Sequence, residues 1–340
     1  MEHSPPSAAP ANTPVGRVIG VCVGLALLVG AITLAFAWPS SDIGPNELPI
    51  AVVGPPEAAD QIQTRLDAVE PDGFDVTAAA DVDAAETMIK EREVYAALAT
   101  TPDGVTLYTA SAASPMVARL LTGIAEQMAA QSGGPGAALT VEDLVPMPAD
   151  DPNGAGLAAS AFPLAVGGIV IAALIGLTVR GSGRQVAAAI IAPLGVGATV
   201  AAILMYVLES VDGDFLSIAG ALSFTMGATA WAILGLLKLL GRAGLAIGAV
   251  TVMLVGNPLS GMSGAPELLP APWGEFGQFL TPGAGATLLR STAYFDGHGA
   301  ATAIGVLSTW AVAGVVLFTI GAVRAKVGAV GADDREAVPA

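Results

Sequence analysis

A chain of 340 residues with 54% hydrophobic and only 12% charged side chains is too apolar for an ordinary water-soluble domain, where roughly a quarter are charged. A net charge of −16 and a pI near 4.3 exclude the basic surface that nucleic acid requires. The single cysteine, Cys22, excludes a disulfide framework and a cysteine-based metal site, and within its apolar run it reads as a small buried hydrophobe.

Residues 1–17 read as a disordered cytoplasmic tail, Pro- and Ala-rich and without helical periodicity over 1–14. Val18–Trp38 is the first uncharged run, about 31 Å long as a helix and therefore able to cross a hydrocarbon core. Trp38 is placed to anchor it at the interface. Ala35-Phe36-Ala37 has the small-x-small form of a signal cleavage site. The run is longer than a signal core, however, and only Arg17 precedes it, so a retained span is expected.

The acidity is concentrated in one place. Between Ser41 and Gly154 there are nineteen Asp or Glu against four Lys or Arg. An acidic block inside an apolar chain means two environments. Its patterning predicts a small α/β domain over 41–154. Leu48–Val53 and Phe74–Ala78 read as strands, Pro56–Val69 and Asp81–Glu93 as helices, the second capped by Asp81. Val94–Thr100 and Val105–Thr109 flank Thr-Pro-Asp-Gly and predict a hairpin. A helix over Ser114–Ala130 and a strand over Leu139–Val145 follow, with flexible breaks at Gly133–Gly136 and Ala149–Gly156. The carboxylates lack metal-ligand spacing and have no histidine among them, so they read as a solvated face.

Further apolar runs lie at Leu157–Val179, Val186–Leu208, Phe215–Leu237 and Ala303–Val323, with a shorter one at Ala243–Val255 ended by Asn257-Pro258. Charge placement favours all six crossing, with both termini cytoplasmic. Arg17, Arg180, Arg184, Lys238, Arg242, Arg324, Lys326 and Arg335 then share the inner side, and Glu209, Asp212 and Asp214 lie outside. The expected organisation is an α-helical integral membrane protein of about six transmembrane helices. A small α/β extracytoplasmic domain is inserted between helices 1 and 2, helices 2–5 occupy 157–255, helix 6 occupies 303–323 and a cytoplasmic tail occupies 324–340.

None of the six runs contains Asp, Glu, Lys, Arg or His, which argues against ion-coupled transport. There is no phosphate-binding Gly-Lys-Ser/Thr loop either, so no cofactor is expected in this chain and any ATP must be held by another subunit. Gly167-Gly168, Gly195-x-Gly197 and Gly220 are candidates for close helix approach. Residues 256–300 are too apolar for a free loop and too broken by Pro and Gly for a single span. They predict an outer re-entrant or interfacial segment, with Trp273, Phe276, Tyr294 and Phe295 at the interface. Asn257, Pro258, Pro282 and Arg290 are candidates for an outer gate; Arg180, Arg184, Lys238 and Arg242 are candidates for a cytoplasmic contact surface.

At this point the chain resembles the permease subunits of ABC-2-type exporters, in particular the ectodomain-bearing branch similar to phage infection protein. The resemblance rests on one span, an outer α/β domain and five further spans. It rests also on the LPIAVVG strand, the VYAALATTPDGVTLYTA hairpin and the broken NPLSG…ELLP…PWG stretch before the last span. It implies a multi-pass protein of a bacterial plasma membrane, a homodimer in contact with membrane lipids. A separate ATP-binding cassette subunit would drive export of a lipid-like, polymeric or drug-like substrate. The chain departs from the family at the cytoplasmic side, where the second loop is only Arg180-Gly-Ser-Gly-Arg184. The alternative is a non-transporting cell-envelope protein whose ectodomain binds a partner or acts as a receptor.

Overall fold

The computed structural model describes residues 13–41, 43–101, 104–131 and 138–336. It opens with helix α1 (Val15–Ser41), followed by five strands and three helices: β1 (Leu48–Val53), α2 (Pro56–Asp67), β2 (Phe74–Ala79), α3 (Val82–Lys90), β3 (Ala96–Thr101), β4 (Gly104–Thr109), α4 (Pro115–Gln131) and β5 (Ala138–Asp143). The strands form one sheet in the order β2-β1-β3-β4-β5. β1 runs parallel to β2 and β3, β3 and β4 are antiparallel, and β4 and β5 are parallel. Parallel neighbours cannot be joined by a tight turn. Helices α2, α3 and α4 supply the three crossovers and bury Leu66, Ile89, Val117 and Leu121.

Local chemistry accounts for these elements. Pro56 opens α2, where a missing N–H costs nothing. The Asp81 carboxylate accepts a 2.8 Å hydrogen bond from Ala84 N and starts α3. The turn residues Pro102 and Asp103, and the expected break at 133–136, lie outside the described residues.

The chain then becomes almost wholly helical: α5 (Ala155–Ala159), α6 (Ala161–Thr178), α7 (Ser182–Tyr206), α8 (Phe215–Leu240) and α9 (Arg242–Val250), the last continued by a π-helical turn, Thr251–Gly256. A 3₁₀ turn (Pro266–Leu268), α10 (Trp273–Gln278) and α11 (Thr281–Tyr294) precede the final helix α12 (Ala301–Glu336). Among the described residues five helical stretches are long and apolar enough to cross a membrane: Val15–Pro39, Ala155–Thr178, Ser182–Tyr206, Phe215–Leu240 and Ala301–Val327. This is consistent with a multi-pass membrane protein. The sixth expected crossing is the shorter apolar stretch Arg242–Gly256, about 22 Å as a helix, less than a hydrocarbon core of about 30 Å.

Helix α8 is the centre of the bundle, packed against α6, α7, α9, α11 and α12. Small residues let its neighbours approach. A Cβ on Gly168 would stand 2.5 Å from Thr229 Cβ, and one on Gly197 would stand 2.7 Å from Ser223 N. Gly235 of α8 and Gly314 of α12 interlock in the same way. A Cβ on Gly195 or Gly220, by contrast, would meet nothing within 4 Å in this chain.

Three further expectations need correction. Cys22 is exposed, because α1 meets the rest of the protein only towards its C-terminal end, around Phe36, Trp38 and Pro39, and its most apolar stretch is not buried. Residues 149–156 are a built joint rather than a loose linker. Buried Asp151 accepts from Ala155 N at 2.7 Å and Gly156 N at 2.8 Å, and Gly156 packs on Ser210. Phe295 is buried under Arg92 instead of lying at an interface.

Candidate functional site

Residues 257–294 double back on themselves. Pro282, at the start of α11, packs on Gly256 at the end of the π-helical turn. Near that end of α11, Trp310, the tenth residue of α12, donates from Nε1 to Phe279 O at 2.8 Å. The far end of α11 reaches the loop before α8, where the Tyr294 hydroxyl donates to Ser210 O at 2.9 Å. α11 thus runs about 20 Å along the bundle and ends beside the sheet domain. Trp38, Trp273 and Phe276 form an edge-on aromatic group, with ring centroids 5.5 and 5.9 Å apart.

The sheet domain is fastened to this segment by polar contacts. Asn46 donates from its backbone N–H to Glu267 O at 2.8 Å and from Nδ2 to Leu269 O at 2.9 Å. The Tyr95 hydroxyl donates to a Glu267 carboxylate oxygen at 2.7 Å. Arg92 donates to Ser291 Oγ and to Thr287 O and lies 5.2 Å from the Phe295 ring centroid. Arg92 follows α3 with φ 63°, the left-handed conformation in which helices end and which glycine or asparagine adopts most readily. An arginine there turns its side chain away from the domain and onto α11.

These groups surround a cavity of about 220 Å³ between the sheet domain and the helices, lined in part by Arg92, Tyr95, Glu267, Gln278, Thr287 and Thr302. Burial pushes the Arg92 guanidinium below its ordinary pKa, partly offset by Tyr95 and Glu267. Burial first and the Glu267 charge second hold the Tyr95 phenol well above its ordinary value, so it remains a neutral donor. Arg290 is buried behind them. Its Nη2 donates to Met262 O at 3.0 Å, while Nε has no acceptor among the described residues.

The four gate candidates do not converge on one opening. Asn257 and Pro258 border a second cavity of about 210 Å³ with Phe36, Met116 and Met262. Pro282 lines a third, apolar one of about 230 Å³ with Ile233, Ile247 and Trp310, and Arg290 belongs to the polar group beneath the sheet domain. The four basic candidates do gather at the opposite end of the bundle. Arg180, Arg184 and Arg242 are exposed there. Lys238 is tied down, donating to Gln185 Oε1 at 3.0 Å and lying 5.3 Å from the Phe318 ring centroid.

Arg92, Tyr95 and Glu267 escaped the sequence reading. Arg92 and Tyr95 sit in an acidic block and a strand where each is unremarkable, and Glu267 lies among apolar residues. The one available signal was an isolated Glu in a segment otherwise free of charge from Ala243 to Trp273. Among the described residues no three His, Cys, Asp or Glu side chains gather as a metal site would require. The chain matches no family model, no curated protein and no solved structure.

Proposed function

We propose that this chain is the permease subunit of an ABC-2-type exporter, a homodimer in a bacterial plasma membrane that works with a separate ATP-binding cassette subunit. In this reading Arg242–Gly256 is a sixth, short crossing, both termini are cytoplasmic, and the sheet domain lies outside with residues 257–294 as the re-entrant outer segment. The substrate would be lipid-like, polymeric or drug-like. The observation that carries the reading is the polar fastening of the sheet domain to the doubled-back segment through Arg92–Ser291 and Tyr95–Glu267. A closure at that end of the bundle cannot open without moving the domain above it. The uncharged spans support the same reading, since they supply no ion relay and leave the energy to a partner.

Purification in mild detergent is expected to retain an ATP-binding subunit, and inverted vesicles containing both should show ATP-dependent uptake of substrate. Single cysteines placed in a Cys22→Ser background test the orientation. Thr64→Cys should react with an impermeant maleimide on whole cells, and Gly183→Cys only after permeabilisation. Absence of an ATPase from both the purified complex and the adjacent genes would refute the exporter assignment.

A second reading, a non-transporting envelope protein whose ectodomain binds a partner, is favoured by one feature. α6 and α7 are joined by three residues and α8 and α9 by Gly241 alone, which leaves little surface at that end to receive an ATPase. It predicts that the protein binds an extracellular ligand through residues 41–154 without any transport.

A further inference from the structure

The cavity beside Pro282 lies between α8, α9 with its π-helical turn, the start of α11, and α12. Ile233, Ile247, Val252 and Leu280 make its wall apolar, and among the described residues no charged side chain lines it. The Trp310 indole is there too, with its N–H already given to Phe279 O. The remaining polar side chains of the wall are Thr251 and Thr281.

A threonine within a helix can return its hydroxyl to the carbonyl four residues earlier, as Thr225, Thr229, Thr309 and Thr319 do in α8 and α12. Thr251 and Thr281 do not. Thr281 opens α11 and has no helical carbonyl behind it; it is 3% exposed, and its Oγ1 has no hydrogen-bond partner among the described residues. Thr251 begins the π-helical turn, a rare geometry found mostly where a helix serves a function. Its hydroxyl forms no hydrogen bond among the described residues either. The two residues are near each other. The Thr251 carbonyl oxygen and Pro282 Cδ lie 3.4 and 2.8 Å from the point where a Cβ on Gly256 would stand. Two hydroxyls without partners in an apolar wall are costly, and a ligand that pairs with them removes the cost.

Size and chemistry narrow the ligand. At about 230 Å³ the cavity is half as large again as the roughly 150 Å³ apolar cavity that accepts benzene, so by proportion it holds about nine heavy atoms. An ion would find no counter-charge in the wall. A hydrocarbon suits the wall and leaves both hydroxyls unpaired. A ligand hydroxyl serves both, donating to one threonine oxygen and accepting from the other. Ile247 is the exposed member of the lining, so the cavity opens on the α9 side, onto the apolar surface that lipid covers when these helices cross a membrane.

We infer that this cavity binds a compact lipophilic alcohol or phenol of about nine or ten heavy atoms. Its hydroxyl sits between Thr251 and Thr281, its carbon skeleton lies against Ile233, Val252 and Leu280, and it enters from lipid past Ile247. The site concerns binding alone and does not depend on transport.

The test uses the full-length protein in phosphatidylcholine nanodiscs, dialysed to equilibrium against the phenol indanol and against indane, its parent without the hydroxyl. Protein-free nanodiscs subtract partition into lipid. Indanol should bind saturably, and more tightly than indane by about threefold or more at equal concentration in the lipid. Thr251→Val and Thr281→Val keep the side-chain shape and remove hydroxyls that hold nothing in the fold, so both variants should melt at or above the wild-type temperature. Each should weaken indanol binding by about threefold or more and leave indane unchanged. The proposal is overturned if indanol shows no saturable binding beyond that of protein-free nanodiscs. It is overturned if indane binds as tightly as indanol, which would assign the cavity to lipid tails. Wild-type affinity for indanol in the protein carrying both Thr251→Val and Thr281→Val would overturn it equally.

Discussion

The Tyr95 hydroxyl and the Glu267 carboxylate meet at 2.7 Å across 172 residues of chain, one from the residue just before β3 and the other from a 3₁₀ turn within the helical half. Both side chains lie where the sheet domain rests on residues 257–294, so this contact reports how firmly the domain is seated.

Tyr95→Phe is expected to lower stability by about 1.5–2 kcal/mol, the lower part of the range for a hydrogen bond to a charged group, because Glu267 is only half-buried. The phenol's folded pKa lies above its unfolded value near 10. Its stabilisation is therefore complete below the unfolded value and is lost as pH rises through the folded one. Thermal unfolding followed from pH 7 to 11 should show wild type losing its advantage over Tyr95→Phe in the alkaline range. An advantage that grew with pH would contradict the assignment.

Asp151 holds the joint between the sheet domain and the bundle. Its carboxylate receives the N–H groups of Ala155 and Gly156, the first turn of α5. Asp151→Ala should cost about 2 kcal/mol, the upper end for loss of a helix cap, since the side chain is buried. Hydrogen exchange should rise at 153–160 and remain unchanged in α8.

Gly314→Val and Gly195→Val distinguish packed from open glycines. A Cβ at Gly314 would stand 2.5 Å from Ala232 N, so the α8–α12 crossing must separate. A loss of about 3 kcal/mol or failure to purify is expected. Gly195 meets nothing within 4 Å, and its valine variant should lie within about 1 kcal/mol of wild type. Equal damage from both would mean that the helices pack differently.

Arg290→Met should fold. Removing a buried cation that has no ion-pair partner among the described residues also removes the cost of desolvating its charge, and this offsets the donor lost by Met262 O. In detergent solution the methionine variant is expected to melt at or above the wild-type temperature. A large drop would show that Arg290 holds the fold together through Met262 O.

The elements of the sheet domain were legible because their signals are local. Alternating apolar residues mark LPIAVV as a strand, Pro56 and Asp81 start helices, and Thr-Pro-Asp-Gly interrupts a hairpin. That residues 257–294 are broken into short pieces that double back was legible for the same reason, from proline and glycine amid apolar residues. The gate candidates within it were not resolved, because proline marks a break in the chain without indicating which cavity the break faces.

Composition and periodicity alone determined that the chain has several apolar helices able to cross a membrane and a small acidic α/β portion between the first and second of them. Hydrophobicity per segment and turn chemistry are properties of neighbouring residues, and they can be read without knowing the partners. Only the tertiary structure decided that α8 is the centre of the bundle and that α1 leaves its apolar stretch uncovered. Hydropathy points towards lipid exposure for both, 2.6 for α1 and 1.5 for α8, yet α8 is two-thirds buried over its window and α1 not at all. Ser223, Thr225 and Thr229 account for part of the lower value, and they are buried inside the bundle where other helices cover them. Likewise only folding brought Arg92, Tyr95, Glu267 and Arg290 together, because electrostatic partners are chosen by distance in space and leave no periodicity in the chain.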